Sequence, residues 1–227
     1  MEKKNDPPVI WRTTYERLKR KTRIRFVLTN IFYLIVIAFL GFFIMNAGKT
    51  KEVFILENQG LHELKTKETV YAILRNRGIS LSQGLDIAEV TIRQSKKLDL
   101  PLSLILAVMK KESYFTPYAL SSQNAMGLMQ VHPITWEEYI AKLNLKVSNH
   151  AAFDPTTNII VATHILKDLY EFYRKTIKSE EEVWKSVLSS YFAGKTSFSQ
   201  TGMTDSHLKY VADINIFKKE FDEKFQD

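Results

Sequence analysis

The chain has 227 residues, 45% of them hydrophobic and 25% charged, which suffices for one globular domain of ordinary size with an appendage and is too little for two large domains. Eight glycines, six prolines and scarce strand-like alternation point to helices rather than a sandwich or barrel, and the absence of cysteine excludes disulfides, thiolate metal sites and a cysteine nucleophile. The formal charge of +7 is uneven: residues 1–48 hold nine Lys/Arg against three Asp/Glu, leaving 23 against 22 for the rest, so the later part implies no basic face for nucleic acid.

Residues 1–25 read as a basic tail with a dense run at Arg17, Lys19, Arg20, Lys21, Arg23 and Arg25. The next stretch, Phe26 to Ala47, is 22 residues long with an unbroken apolar core from Ile31 to Met45. At about 1.5 Å per residue it reaches roughly 33 Å, enough to cross a hydrocarbon layer. The basic flank belongs on the cytoplasmic side, which places everything after residue 48 outside. A cleaved signal peptide begins in the same way and stays the alternative. The long tail, the length of the apolar run and bulky Met45, where a cut after Ala47 wants a small residue, favour an anchor at 26–47.

Residues 48–80 read as a charged stalk or linker, with a short strand-like patch at Val53–Leu56 and no strong period. From Ser82 the pattern turns helical, with segments expected near 82–97, 101–113, 133–143, 155–175, 180–192 and 204–224, making one compact all-α domain at 81–227. Pro101 suits the first turn of a helix, and Asp154-Pro155 pairs an N-cap residue with the same preference. Beyond it, Ile159, Ala162, Leu166, Leu169 and Tyr173 recur at helical spacing, as expected of a helix lying across the core.

In the helix opened by Pro101, Leu102, Ile105, Leu106 and Met109 form the buried face, and Glu112 stands seven residues after Ile105, on that same side. It also falls at the helix C-terminus. Partial burial and the negative end of the helix dipole both disfavour a carboxylate and raise its pKa, as a general acid working on a glycosidic oxygen requires. An isolated Glu beside Lys110 and Lys111 is more often half of a solvated ion pair; the residues that follow it change the balance.

Glu112-Ser113, Ala119-Leu120-Ser121 and Ala125-Met126-Gly127-Leu128-Met129-Gln130 resemble, in order and spacing, the catalytic motifs of the soluble-type lytic transglycosylases. Asp154-Pro155 with Asn158-Ile159, then Ser190-Tyr191-Phe192-Ala193-Gly194, and finally Tyr210-Val211 resemble the family's later blocks. The resemblance covers about residues 82–215. It implies a goose-lysozyme-like helical catalytic domain, which the apolar span and its basic flank would hold behind a single transmembrane helix at the bacterial inner membrane, facing the periplasm. It also implies cleavage of the bond between N-acetylmuramic acid and N-acetylglucosamine in peptidoglycan, without added water and with closure of a 1,6-anhydro ring. Carried over by position, Glu112 is acid and then base, Ser121 a polar contact to the muramoyl N-acetyl or peptide-bearing region, and Gln130 a cleft residue contacting sugar. Tyr191 is expected beside Glu112, with independent support from Trp184, Val187 and Leu188 on its helical face; Tyr210 is the weaker candidate. Gly127 is expected to supply backbone freedom or close sugar approach, and Met129 to pack beneath the loop or line the substrate site. No cofactor is expected. The expected partners are glycan strands, the membrane and a cell-envelope complex that concentrates the tethered enzyme.

Several positions depart from the family pattern: Asn124 and Ala162 stand where Gly is usual, His132 where an apolar residue follows the Gln, and Phe192 where the motif has Asn. A catalytically silent peptidoglycan-binding anchor, a lysozyme-type hydrolase and a structural adaptor therefore stay open as alternatives. Gly48-Lys49-Thr50 and Gly194-Lys195-Thr196 lack the earlier glycine of a phosphate loop, and the five histidines show no metal-ligand spacing on one helix face.

Overall fold

The computed structural model describes residues 9–75 and 79–226, without the side chains of 9–16, 46–59 and 149. The first eight residues of the basic tail lie outside the described residues. The chain divides into two units, residues 1–62 and 63–227, and each is described by itself.

In the first unit the helix α1 (Val9–Leu74) contains a stretch, Arg17–Met45, long and apolar enough to cross a membrane, with its large apolar side chains exposed. The patch at Val53–Leu56 is helical rather than extended. Its β-branched and aromatic residues favour a strand only where a neighbouring strand is present to pair with, and none lies nearby in sequence.

The second unit is built from the last turns of α1 and from α2 (Leu81–Leu98), α3 (Leu102–Ser113), α4 (Pro133–Lys142), α5 (Pro155–Tyr173), α6 (Glu180–Ala193), α7 (Lys195–Thr201) and α8 (Asp205–Lys224). The six expected helices are all there, and the molecule is all-α: among the described residues the extended pairings are two isolated antiparallel bridges, Leu120 with Met126 and Met126 with Val131. Local chemistry sets the starts. Ser80 and Ser179 cap α2 and α6 by accepting from Gln83 and Glu182 N–H, and Asp154 caps α5 by accepting from Thr157 N–H at 2.8 Å. Pro133 and Pro155 occupy first turns, where a missing N–H costs nothing, while Pro101 sits one position earlier, as the residue before α3.

The core differs from the expected pattern in one respect. Rather than one buried face, α3 has seven consecutive buried residues, Ser103 to Met109, so it is enclosed on every side and is the central helix of the core. It packs most extensively on α8, while α5 bridges α2 and α6. Upstream, Val70 and Leu74 of α1 join the core, and the pairs Lys67–Glu89 (2.7 Å) and Lys96–Glu63 (2.8 Å) tie the last turns of α1 to α2.

Candidate active site

Glu112 is the penultimate residue of the central helix. Its two lysine neighbours point elsewhere: Lys110 pairs with Glu220 and Lys111 with Asp213, both at 2.6 Å and both on α8. They anchor α3 to α8, and neither forms an ion pair with Glu112. Burial pushes its carboxyl up to about 7, against the opposing pull of a hydrogen bond from Tyr210 and of the Lys111 charge.

Tyr210, buried on the first half of α8, donates its hydroxyl to Glu112 Oε1. Tyr191, near the end of α6, donates instead to the backbone carbonyl of Met129 at 2.8 Å. Each phenol is pushed well above the usual tyrosine range, by burial first and by the nearby Glu112 charge second. Both tyrosines therefore converge on the acid, but the expected ranking is reversed: the direct partner is Tyr210. The cause is the α3–α8 packing, which carries residue 210 onto the end of α3 across 98 positions of sequence.

The chain leaves α3 through Tyr114 (φ +51°) and Phe115 (φ +63°), two consecutive left-handed residues that are not glycine. Such backbone costs on the order of 1 kcal/mol or more per residue and persists only when the surroundings impose it. Here Phe115 is buried edge-on against Phe221 of α8, 6.2 Å between ring centres. Ser113 fastens the same corner, donating to Leu128 C=O at 2.7 Å and accepting from Thr116 N–H at 3.1 Å.

Residues 119–131 fold into a loop laced to itself and to α5. Ser121 Oγ accepts from Gln123 and Ala125 N–H at 3.2 and 3.0 Å, which leaves its own hydroxyl hydrogen to donate. Gln130, at φ +50°, spends both amide hydrogens on Ala119 C=O (3.1 Å) and Gly127 C=O (2.8 Å), so contact with a ligand falls to its Oε1. Met129 is fully buried; its side chain belongs to the core, and what it offers the site is backbone. Gly127 is required by its φ of +78° and by a close approach of the protein to itself: a Cβ there would lie 2.3 Å from Ala152 C=O and 2.5 Å from the Asn158 amide.

Asn158 had no assigned role in the sequence, yet it is the hub of this loop. Fully buried on the first turn of α5, it donates to Met126 and Ala152 C=O at 3.0 and 2.9 Å and accepts from Met129 N–H at 2.8 Å. A buried amide one turn after Asp154-Pro155 was the available signal, since a polar group so placed has to find partners. Among the cavities of the described residues are one of about 400 Å³ beside Gln83, Tyr118 and Asp154 and one of about 250 Å³ beside Trp184 and Leu188. Neither of these two has Glu112 in its wall.

With this geometry in place, the comparison with known proteins is decisive on one point. Residues 89–213, more than half of the chain, match the model of the transglycosylase SLT domain. The chain belongs to that family. Among its relatives are proteins named membrane-bound lytic murein transglycosylase C: that of Mannheimia succiniciproducens is 36% identical over 132 residues, covering 56% of this chain and 36% of the relative. That of Yersinia enterocolitica is 36% identical over 120 residues, covering 51% and 34%. The chain thus spans about a third of the length of these curated relatives. In fold, the SLT unit is similar to an inactive mutant of the lytic transglycosylase Slt from Pseudomonas aeruginosa, with a TM-score of 0.53, 21% identity, and coverage of 61% of this chain and 24% of that one. It is similar to the same degree to the 70-kDa soluble lytic transglycosylase in its complex with bulgecin A, with a TM-score of 0.52, 20% identity and the same coverages.

Proposed function

We propose that this member of the SLT family is a membrane-anchored peptidoglycan lytic transglycosylase, cleaving between N-acetylmuramic acid and N-acetylglucosamine with Glu112 as acid and then base. The observation that carries the reading is the acid itself: one carboxyl, held by burial at about 7, bonded by a single phenol, with no second carboxylate acting on it among the described residues. A hydrolase of the usual kind needs a carboxylate pair, one member to handle water or to attack the sugar. A lone acid suits a reaction whose nucleophile is the sugar's own C6 hydroxyl.

With its carboxyl pushed up to about 7, Glu112 can hold a proton near neutrality. Tyr210 occupies Oε1, which leaves Oε2 to hold that proton and pass it to the leaving glycosidic oxygen as the C1–O bond breaks. The carboxylate so formed then takes the proton of the C6 hydroxyl while that oxygen bonds to C1, closing the anhydro ring and restoring the acid. Ser121 donates its free hydroxyl hydrogen to the N-acetyl or peptide-bearing region, and Gln130 offers Oε1 to sugar hydroxyls. Tyr191, tied to Met129, and Gly127, tied against Asn158, hold the walls. The placement is a single-pass one in the inner membrane, supported by the apolar stretch Arg17–Met45 and the basic run at its start, with the SLT unit in the periplasm.

The test is to incubate the full chain in detergent, wild type and Glu112→Gln, with peptidoglycan and to weigh the products. Anhydro-muropeptides from wild type alone are expected. Products heavier by one water would replace the reading with a hydrolase, and glycan binding without products from either protein would replace it with a silent anchor.

A further inference from the structure

Phe192 stands where the family motif has Asn, and the structure shows what the phenyl ring touches. It stacks on the ring of Tyr210, 4.7 Å between centres and 26° from parallel, while remaining 48% exposed on its outer side. Its neighbour on the other flank is the buried His207, 5.7 Å away and at right angles. That imidazole is itself locked: Nδ1 accepts from Thr204 N–H at 3.2 Å and lies 2.5 Å from Thr204 Oγ1, and Phe198 stands 5.3 Å from its ring. Phe192 is therefore a lid of fixed pose over the one phenol that bonds the acid.

A side-chain amide at this position would bring its own hydrogen bonds, and water with them, to the edge of Tyr210. A phenyl ring brings neither. We infer that Phe192 is a positioning residue that shields the Tyr210–Glu112 pair from water, and so sets the pH range over which this chain's acid holds its proton. The inference rests on reading Glu112 as the acid. Burial is the largest influence keeping the carboxyl protonated, so admitting water acts downward on its titration, whereas losing only the Tyr210 hydrogen bond acts upward. The direction of the change separates the two. The other groups acting on Glu112 are Lys111 of α3, paired with Asp213 of α8, and Tyr191 of α6, which precedes Phe192 in the chain and turns its hydroxyl to Met129 C=O.

The experiment follows the carboxyl itself in the full chain in detergent, labelled with ¹³C-glutamate, the Glu112 signal being the one lost in Glu112→Gln. In Phe192→Asn the titration midpoint is expected to fall by about one pH unit. The alkaline limb of kcat/KM is expected to follow it, so that cleavage at pH 8 drops by about tenfold while cleavage at pH 5 is nearly unchanged. Phe192→Tyr, which restores a flat ring, is expected to return both. Phe192→Leu, apolar but without a face to stack, serves as a second variant if the Asn protein loses its helical circular dichroism, with an expected shift of the same sign and smaller size. An unchanged or upward midpoint in Phe192→Asn, or failure of Phe192→Tyr to restore it, would overturn the inference. A downward shift in a protein that cleaves nothing would instead sink the proposed activity and leave the shielding in place.

Discussion

The hydroxyl of Tyr210 and the burial around Glu112 act on the acid in opposite senses, and each can be removed separately. Tyr210→Phe deletes the donor but keeps the ring under Phe192. A hydrogen bond to a charged group contributes roughly 1.5–3 kcal/mol, so its loss is expected to raise the Glu112 midpoint from about 7 by about one unit, visible in the alkaline limb of the rate profile. Cleavage near neutrality is expected to fall on the order of tenfold, because Oε1 is no longer held. A midpoint that stays in place would show that the phenol does not stabilise the carboxylate. The raised pKa also has a stability sign. Below pH 4.5 the acid is protonated both folded and unfolded and contributes nothing; from there to about 7 the unfolded chain gives up its proton while the folded one keeps it, so stability falls as pH rises and the loss is complete above 7. Glu112→Gln is therefore expected to raise the melting temperature at pH 8 by a few degrees, reflecting about 1–2 kcal/mol after allowance for its partial exposure, and to change little at pH 4. Equal shifts at both pH values would rule out linkage through this carboxyl. That Glu112 is a buried acid of raised pKa was legible from its place on the apolar side of its helix, near the C-terminal end. That Tyr210 is its partner was not, because the pairing spans 98 residues and no local period encodes which phenol the α3–α8 packing delivers.

At the scale of elements, starts and stops were legible wherever a single residue's chemistry decides them. Asp154 accepts from Thr157 N–H whatever the rest of the fold does, and Pro155 can follow only at a first turn. The short α7, Lys195–Thr201, escaped because K-T-S-F-S-Q-T has no apolar period and none of its residues is buried. The 119–131 loop was legible only as a motif: its residues are polar or small, and its shape depends on Asn158 reaching it from α5. Asn158→Ala would strand one N–H and two carbonyls in a buried setting, and a loss of about 3–5 kcal/mol is expected by chemical or thermal denaturation. Gly127→Ala is expected to cost a comparable amount, since its Cβ meets a carbonyl oxygen at 2.3 Å. Gly194 is the control: its φ of +82° is similar but nothing lies within 4 Å, so Gly194→Ala is expected to cost only about 1 kcal/mol. Equal losses at the two glycines would mean that backbone angle, not the Asn158 hub, governs the loop.

At the scale of the whole molecule, the two units carry opposite surface chemistry. The stretch Arg17–Met45 exposes aromatic and aliphatic side chains along its length, which an aqueous surface does not tolerate, whereas the unit from Glu63 onward has an enclosed core and charged exterior. The proposed sidedness rests on the basic run: Arg17, Lys19, Arg20, Lys21, Arg23 and Arg25 precede the apolar residues, and the positive-inside tendency favours a cytoplasmic place for such a flank. The absence of cysteine makes this directly measurable, because any thiol introduced is the single one. Ser206 is exposed and four residues from Tyr210, so a thiol there reports the compartment in which the acid works. In intact spheroplasts, Ser206→Cys is expected to react with a membrane-impermeant maleimide, and Thr14→Cys, upstream of the apolar run, only after permeabilisation. The reverse pattern would place Glu112 in the cytoplasm, away from glycan strands, and would overturn the proposed activity regardless of how well the purified protein binds or cleaves peptidoglycan.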